Sequence, residues 1–230
     1  MGSIYIYKLN PKRMITMKNS RVLEMLNQNR IEELKALLQD EIYSESLKTK
    51  PNAKKRYAAM KKYISYVDGV REILQKPCAV EVDGTKYNSF CNSYSLALTT
   101  ETCGELPMCE EPDRYPPIAR LVNYKGVDDL IDFGKVFAEA KSRGYKLKKN
   151  EMFSNKFLMH YGGAYFRLAL LDVTYGIIDD GETAEVYHTH GPRHSLTIKN
   201  DIGVCVVMPV FIDGEPEDSV VVEAKSEKER

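Results

Sequence analysis

The stretch FLMHYGGAYFRLALLDVTYGIIDDGETAEVYHTHGPRHSLTIKNDIGVCVVMPV, residues 157–210, decides how this chain is read. Phe157 to His160 predicts a short strand, and Gly162-Gly163 a turn into an apolar helix from Tyr165 to Tyr175. Strands are expected at Ala184 to His190, Ser195 to Lys199 and Ile202 to Met208, separated by Gly191-Pro192 and Asn200-Asp201. In the last strand Ile202, Val204, Val206 and Met208 share one face while Cys205 and Val207 take the other. Apolar side chains on both faces indicate a strand inside a sheet.

Upstream, the same order of helix and then antiparallel strands occurs once before. A helix is predicted from Ala53 to Leu74 with Tyr57, Met60, Ile64, Val67 and Leu74 on its apolar face. Cys78 to Val82, Asp83-Gly84 and Lys86-Tyr87 form a hairpin signal, because Asp-Gly accepts the positive φ angles of a type I′ turn. Ser93 to Leu98 continues as a strand. Between the two recurrences, Thr99 to Pro117 holds four prolines and is expected to be irregular, and Val127 to Arg143 predicts a helix. That helix would have Asp128 and Asp129 in its first turn, Lys141 and Arg143 in its last, and Gly144 at C′.

Toward the N-terminus, Ile4 to Tyr7 reads as a short strand. Ser20 reads as the N-cap of one amphipathic helix on which Val22, Leu23, Met25, Leu26, Ile31, Leu34, Leu37 and Leu38 recur at helical spacing. Beyond Ile212 the composition turns acidic and then mixed, and a frayed tail is expected despite Val220 to Val222. The expected organisation is therefore an N-terminal strand and helix over 1–51, a main domain over 52–212, and a charged tail over 213–230.

Composition restricts the classes of function. At 230 residues with 43% hydrophobic and 29% charged residues, the chain can bury a core without metal or disulfide staples. No apolar run approaches the roughly 18 residues of a spanning helix, so no membrane partner is expected. Five cysteines, at 78, 91, 103, 109 and 205, fit reduced thiols and a cytoplasmic location better than a disulfide framework. The N-terminus lacks the pattern of a secretory signal, and Ile6 spoils the myristoylation pattern. With 33 basic and 33 acidic residues the molecule has no overall basic excess, so nucleic-acid binding would depend on local distribution.

A helix followed by antiparallel strands, twice, closing on Val207-Met208-Pro209, resembles a domain of the bacterial DNA polymerase III beta subunit, the sliding clamp. The likeness is closest from Lys156 to Val210 and looser over residues 53 to 98. It implies an α+β, DNA-clamp-like domain of helices on antiparallel sheet, whereas the family's bacterial chains carry three such domains. The Met-Pro of that family contributes to an apolar pocket for polymerase peptides, which places Met208 and Pro209 as expected partner-binding residues; here the chain continues past them.

Basic residues cluster at Lys48, Lys50, Lys54, Lys55, Arg56, Lys61 and Lys62 with no acid between them. On a helix facing duplex DNA, Lys54, Lys55, Arg56, Lys61 and Lys62 would meet phosphates without reading bases; the alternative is a solvated helix face. Lys141, Arg143, Lys146, Lys148 and Lys149 form a second cluster. His188 and His190, two apart on a strand, carry a different reading, a divalent metal site supporting cupin-like chemistry, although residues 191–199 lack the acid that this pattern wants. Cys103 and Cys109 have the wrong spacing for a zinc knuckle, and no cofactor or catalytic residue is called for.

The expectation is a noncatalytic clamp-like protein, associated with DNA replication or borne by a phage or mobile element. It would bind a protein partner and, nonspecifically, duplex DNA. The alternatives are an oligomeric interaction or regulatory module without DNA binding, and a metal-dependent cupin-like enzyme.

Overall fold

The computed structural model describes residues 19–50, 52–66, 72–125, 127–214 and 216–223. The predicted strand at Ile4 to Tyr7, and Val67 of the predicted helix face, lie outside them. The chain divides into two compact units, Met1–Thr49 and Lys50–Arg230.

In the first unit the single predicted helix is two, α1 (Asn19–Asn27) and α2 (Ile31–Ser46). The break is a C-cap motif. Asn29 adopts φ 54°, the Arg30 amide donates to the Met25 carbonyl at 2.9 Å, and the Asn29 amide donates to the Leu26 carbonyl at 3.0 Å. Asn tolerates the left-handed conformation that ends a helix this way, and apolar spacing alone carries no sign of it.

The second unit begins with α3 (Ala53–Tyr66) and the meander β1 (Cys78–Val82), β2 (Thr85–Cys91) and β3 (Ser95–Thr99). The β1–β2 turn is as expected from Asp-Gly, with φ 50° at Asp83 and 78° at Gly84. After the irregular segment come β4 (Val127–Ile131), α4 (Phe133–Ser142), β5 (Phe157–Tyr161), β6 (Ala164–Arg167) and α5 (Leu168–Tyr175). The chain closes with β7 (Ala184–His188), β8 (Leu196–Lys199), β9 (Gly203–Val207) and β10 (Asp218–Val221).

Three predicted elements are corrected. The helix expected from Val127 is strand β4 followed by α4, and Asp132 is the N-cap, its carboxylate accepting from the Lys135 amide at 3.1 Å. Pairing with β7 outcompetes helix formation for residues 127–131, while the predicted end survives: Gly144 sits at C′ with φ 95°. The helix expected from Tyr165 starts at Leu168, because Gly162 and Gly163, at φ 57° and 80°, close a β5–β6 hairpin instead. The tail expected to fray contains β10, which pairs in parallel with β5 and buries Val220.

A fully antiparallel seven-stranded sheet runs in the order β1-β2-β3-β9-β8-β7-β4, and a smaller sheet in the order β10-β5-β6. The large sheet has internal symmetry of order. The meanders β1-β2-β3 and β7-β8-β9, each preceded by a helix, join at the β3–β9 seam. Helices α3 and α5 pack on each other, α5 also contacting β3 and β9 and α3 contacting β2, so both cover the same face.

Polar groups stitch these layers. Thr174 Oγ1 of α5 donates to Ser95 Oγ of β3 at 2.9 Å, and Tyr63 of α3 donates to the Ser95 carbonyl at 3.3 Å. The Cys205 thiol of β9 donates to the Thr174 carbonyl at 3.2 Å. The opposite face of the sheet, with Leu96, Leu98, Val204 and Val206, is covered by Tyr115 and Ile118 from the irregular segment. The protein is thus α+β, and none of its described helices is long and apolar enough to cross a membrane.

Candidate functional site

Helix α3 turns Ala53, Arg56, Tyr57, Met60 and Tyr63 inward, which leaves Lys54, Lys55 and Lys62 on its outer side. The spacing of the buried set is the usual three and four residues of an apolar stripe. Lys55 Nζ reaches Asp179 Oδ2 at 2.5 Å, just after α5, and Lys62 Nζ lies 5.9 Å from the Tyr66 ring centre. Half-buried Lys61 lies over the Tyr57 ring at 4.8 Å.

Arg56 does not belong to this outer face. Its side chain is 4% exposed, pairs with Glu101 at 2.6 Å through Nη2, and donates from Nη1 to the Asp179 carbonyl at 3.2 Å. Its place on the helix puts it among the inward residues, where burial demands a partner. It is a structural residue and is corrected out of the phosphate-facing group.

Lys55, Lys62 and Lys141 border a cleft of about 340 Å³ formed by α3, α4 and α5, floored by Ala58, Ala59, Phe137, Val173 and Tyr175. Small residues create the space. At Gly176, which follows α5, a β-carbon would lie 3.2 Å from Ala59 Cβ and 2.9 Å from the Asp172 carbonyl. Asp172 stands in the cleft and accepts from the Tyr145 hydroxyl at 3.0 Å. Burial pushes its carboxyl above the usual value, opposed by the Tyr145 hydrogen bond and by Lys62, Lys141 and Lys55. Sequence pattern alone does not single out Asp172, although one acid in the apolar run LALLDVTY is its signal.

Two residues of the second basic cluster are paired in ways the structure shows. Arg143 donates to Asp218 Oδ1 at 3.3 Å and to the Ser219 carbonyl at 3.0 Å, fastening β10, and also pairs with Glu139. Lys148 pairs with Glu151 at 2.7 Å.

Met208 and Pro209 follow β9. Met208 is 44% exposed, and its amide donates to the Tyr94 carbonyl at 2.9 Å. The Tyr94 ring meets the Phe153 ring at 5.0 Å between centres, and the Arg167 guanidinium lies 6.0 Å from the Tyr94 ring centre. Tyr94, Phe153 and Met208 are all exposed; the two rings form an apolar surface with a cation at its edge, and Met208 adjoins it through its backbone bond to Tyr94. Tyr94 and Phe153 are far from Met208 in sequence, and only the strand register brings Tyr94 beside it.

His188 and His190 do not form a metal pair. His188 is fully buried at the end of β7, with Nδ1 3.1 Å from the Ser195 carbonyl and Nε2 3.3 Å from the Gly162 carbonyl. Both ring nitrogens thus face backbone acceptors, and burial lowers its pKa below 6.5. His190 and His194 are exposed, their rings 6.2 and 6.5 Å from that of His188. Among the described residues no group of three His, Cys, Asp or Glu side chains has metal-binding geometry.

In comparisons with protein-family models, curated proteins and solved structures, nothing matches the chain.

Proposed function

We propose that the chain is a noncatalytic clamp-like protein of DNA replication, or of a phage or mobile element, that lays its helical face along duplex DNA. The observation that carries this reading is the tandem arrangement of helix and three-strand meander about the β3–β9 seam. It places α3 and α5 side by side on one face of the sheet, with Lys54 and Lys62 outward and Lys141 of α4 across the cleft. Lysines on flexible stems meet phosphates as point charges and read no bases, which suits a protein that must bind every sequence alike.

Titration of a fluorescent duplex at several salt concentrations tests it. Binding should weaken linearly in log–log form, with a slope of about −0.9 for each phosphate neutralised. Lys54→Glu, Lys62→Glu and Lys141→Glu together should lower affinity at least about tenfold and flatten that slope. Absence of duplex binding at low salt would remove the DNA part of the reading.

The Tyr94–Phe153–Met208 patch supports the second half, a docking site for a short apolar or aromatic peptide of a polymerase-type partner, with Arg167 meeting an acidic residue beside it. Pro209, half-buried, positions rather than fills that site. The module without DNA binding is favoured by one observation: the Lys55–Asp179 and Arg56–Glu101 pairs already neutralise two cations of the basic run. The salt titration separates the two readings.

A further inference from the structure

The face of the large sheet opposite the helices is closed by the segment 100–125, whose Tyr115 and Ile118 enter the core there. This cover meets the edge of the sheet at Cys109. The Cys109 amide donates to the Pro77 carbonyl at 2.8 Å, and Cys78, the first residue of β1, follows that carbonyl, so the backbone holds the two cysteines side by side at the sheet edge. Both side chains belong to the same apolar cluster, Cys78 inside it and Cys109 packed against it. The other three thiols, of Cys91, Cys103 and Cys205, respond to burial alone.

We propose that Cys78 and Cys109 are a reversible redox pair, closed to a disulfide by hydrogen peroxide, that locks the 100–125 cover onto the sheet edge. Access sets the order of events. Cys109 is half-buried and lines an open surface cleft of about 280 Å³ with Ile73, Lys76, Glu110, Glu111 and Arg114, whereas Cys78 is 1% exposed. Peroxide meets Cys109 first: its sulfur attacks one peroxide oxygen, the O–O bond breaks, and Cys109 sulfenic acid and one water result. The Cys78 sulfur then attacks the sulfenic sulfur, the S–O bond breaks, and the hydroxide leaves with the thiol proton as a second water. Two thiols are oxidised and one peroxide is reduced to two waters. The Cys109 amide, bonded to the carbonyl just before Cys78, anchors the two cysteines beside each other for this closure. A dithiol reductant reverses it by exchange.

Burial and the neighbouring Cys109 push the Cys78 thiol up to about 11. The thiolate is the attacking form, so the Cys78 step accelerates as pH rises toward that value.

The experiment uses the full chain, reduced, exposed to hydrogen peroxide, alkylated and examined by intact mass and peptide mapping. Expected are the loss of two hydrogens, one cross-linked pair joining Cys78 to Cys109, and full recovery with dithiothreitol. In Cys78→Ser, dimedone should trap a sulfenic acid at Cys109 with no cross-link; in Cys109→Ser, Cys78 should remain reduced at the same exposure. Trypsin cleavage after Arg114, Arg120 and Lys125 should slow at least about tenfold in the oxidised chain, within what a cross-link over a loop this long contributes. A different cysteine pairing, sulfinic acid accumulating at Cys109 in the unmodified sequence, or no reaction would overturn the pair. Unchanged cleavage after cross-linking would overturn the lock.

Discussion

Arg56 shows how position on a helix decides what a charge does. Neighbouring Lys54 and Lys55 look outward while Arg56 looks in and meets Glu101. Arg56→Met alone leaves that carboxylate without its cation. The expected loss of unfolding free energy in urea is about 3 kcal/mol, most of it recovered by adding Glu101→Gln. The pairing could not be read locally, because the two residues are 45 apart in sequence.

At His188 the same burial acts on a group that titrates in a physiological range. Desolvation lowers its pKa in the fold, so below 6.5 the unfolded chain takes up the proton more readily than the native one. Stability should therefore fall as pH drops through 6.5 toward the lower native value and should be insensitive to this group above it. His188→Gln should flatten that part of a thermal-melt pH profile. A profile unchanged by the substitution would show that other groups set it. Gly162 belongs to the same packing, since a β-carbon there would lie 2.3 Å from the imidazole Cδ2.

Elements differ in how far local signals announced them. The Asp83-Gly84 hairpin, the C′ glycine at 144 and the apolar run Leu168 to Tyr175 were legible because backbone conformation or side-chain chemistry fixes them over a few residues. Residues 127–131 were not, because Asp128 and Asp129 favour the first turn of a helix and are disfavoured in strands. Only β7, brought alongside from much later in the chain, decides between them. Strand β10 was missed for a similar reason: four residues in a charged context carry little propensity, and β5 and Arg143 supply the rest.

This makes β10 testable as an element rather than a tail. Val220→Ala should cost about 2 kcal/mol of unfolding free energy, because its side chain is 2% exposed. Val221→Ala, at 59% exposure, should cost less than about 0.5 kcal/mol. Equal small effects at both positions would mean that the strand contributes nothing to the fold. Among the candidate sites, the outer lysines of α3 were visible in the sequence as a run without acids. The apolar patch was only half visible, since Met208 and Pro209 were named but Tyr94 and Phe153 reach them through the fold.

At the scale of the molecule, the proposed DNA face and peptide patch draw on different residues and should be separable. Met208→Glu with Phe153→Ser should abolish capture of an apolar peptide in a fluorescence-anisotropy assay while duplex affinity and its salt slope stay unchanged. Both residues are more than 40% exposed, so the melting temperature should move little. Loss of duplex affinity in this variant would show that the two surfaces are one.

The β3–β9 seam also governs how the protein is made. Ser95 to Thr99 align with Gly203 to Val207, so the first meander waits for almost all of the second unit to be synthesised before its inner edge is paired. During that interval β3 presents an open row of backbone donors and acceptors to any neighbouring chain. Closure comes late and is intolerant of error at its tightest point: a β-carbon on Gly203 would lie 1.9 Å from the Leu98 carbonyl oxygen. A nascent chain with Gly203→Ala should therefore emerge with a complete first meander and no way to seal it, and accumulate on ribosome-proximal chaperones or in inclusion bodies rather than as native protein.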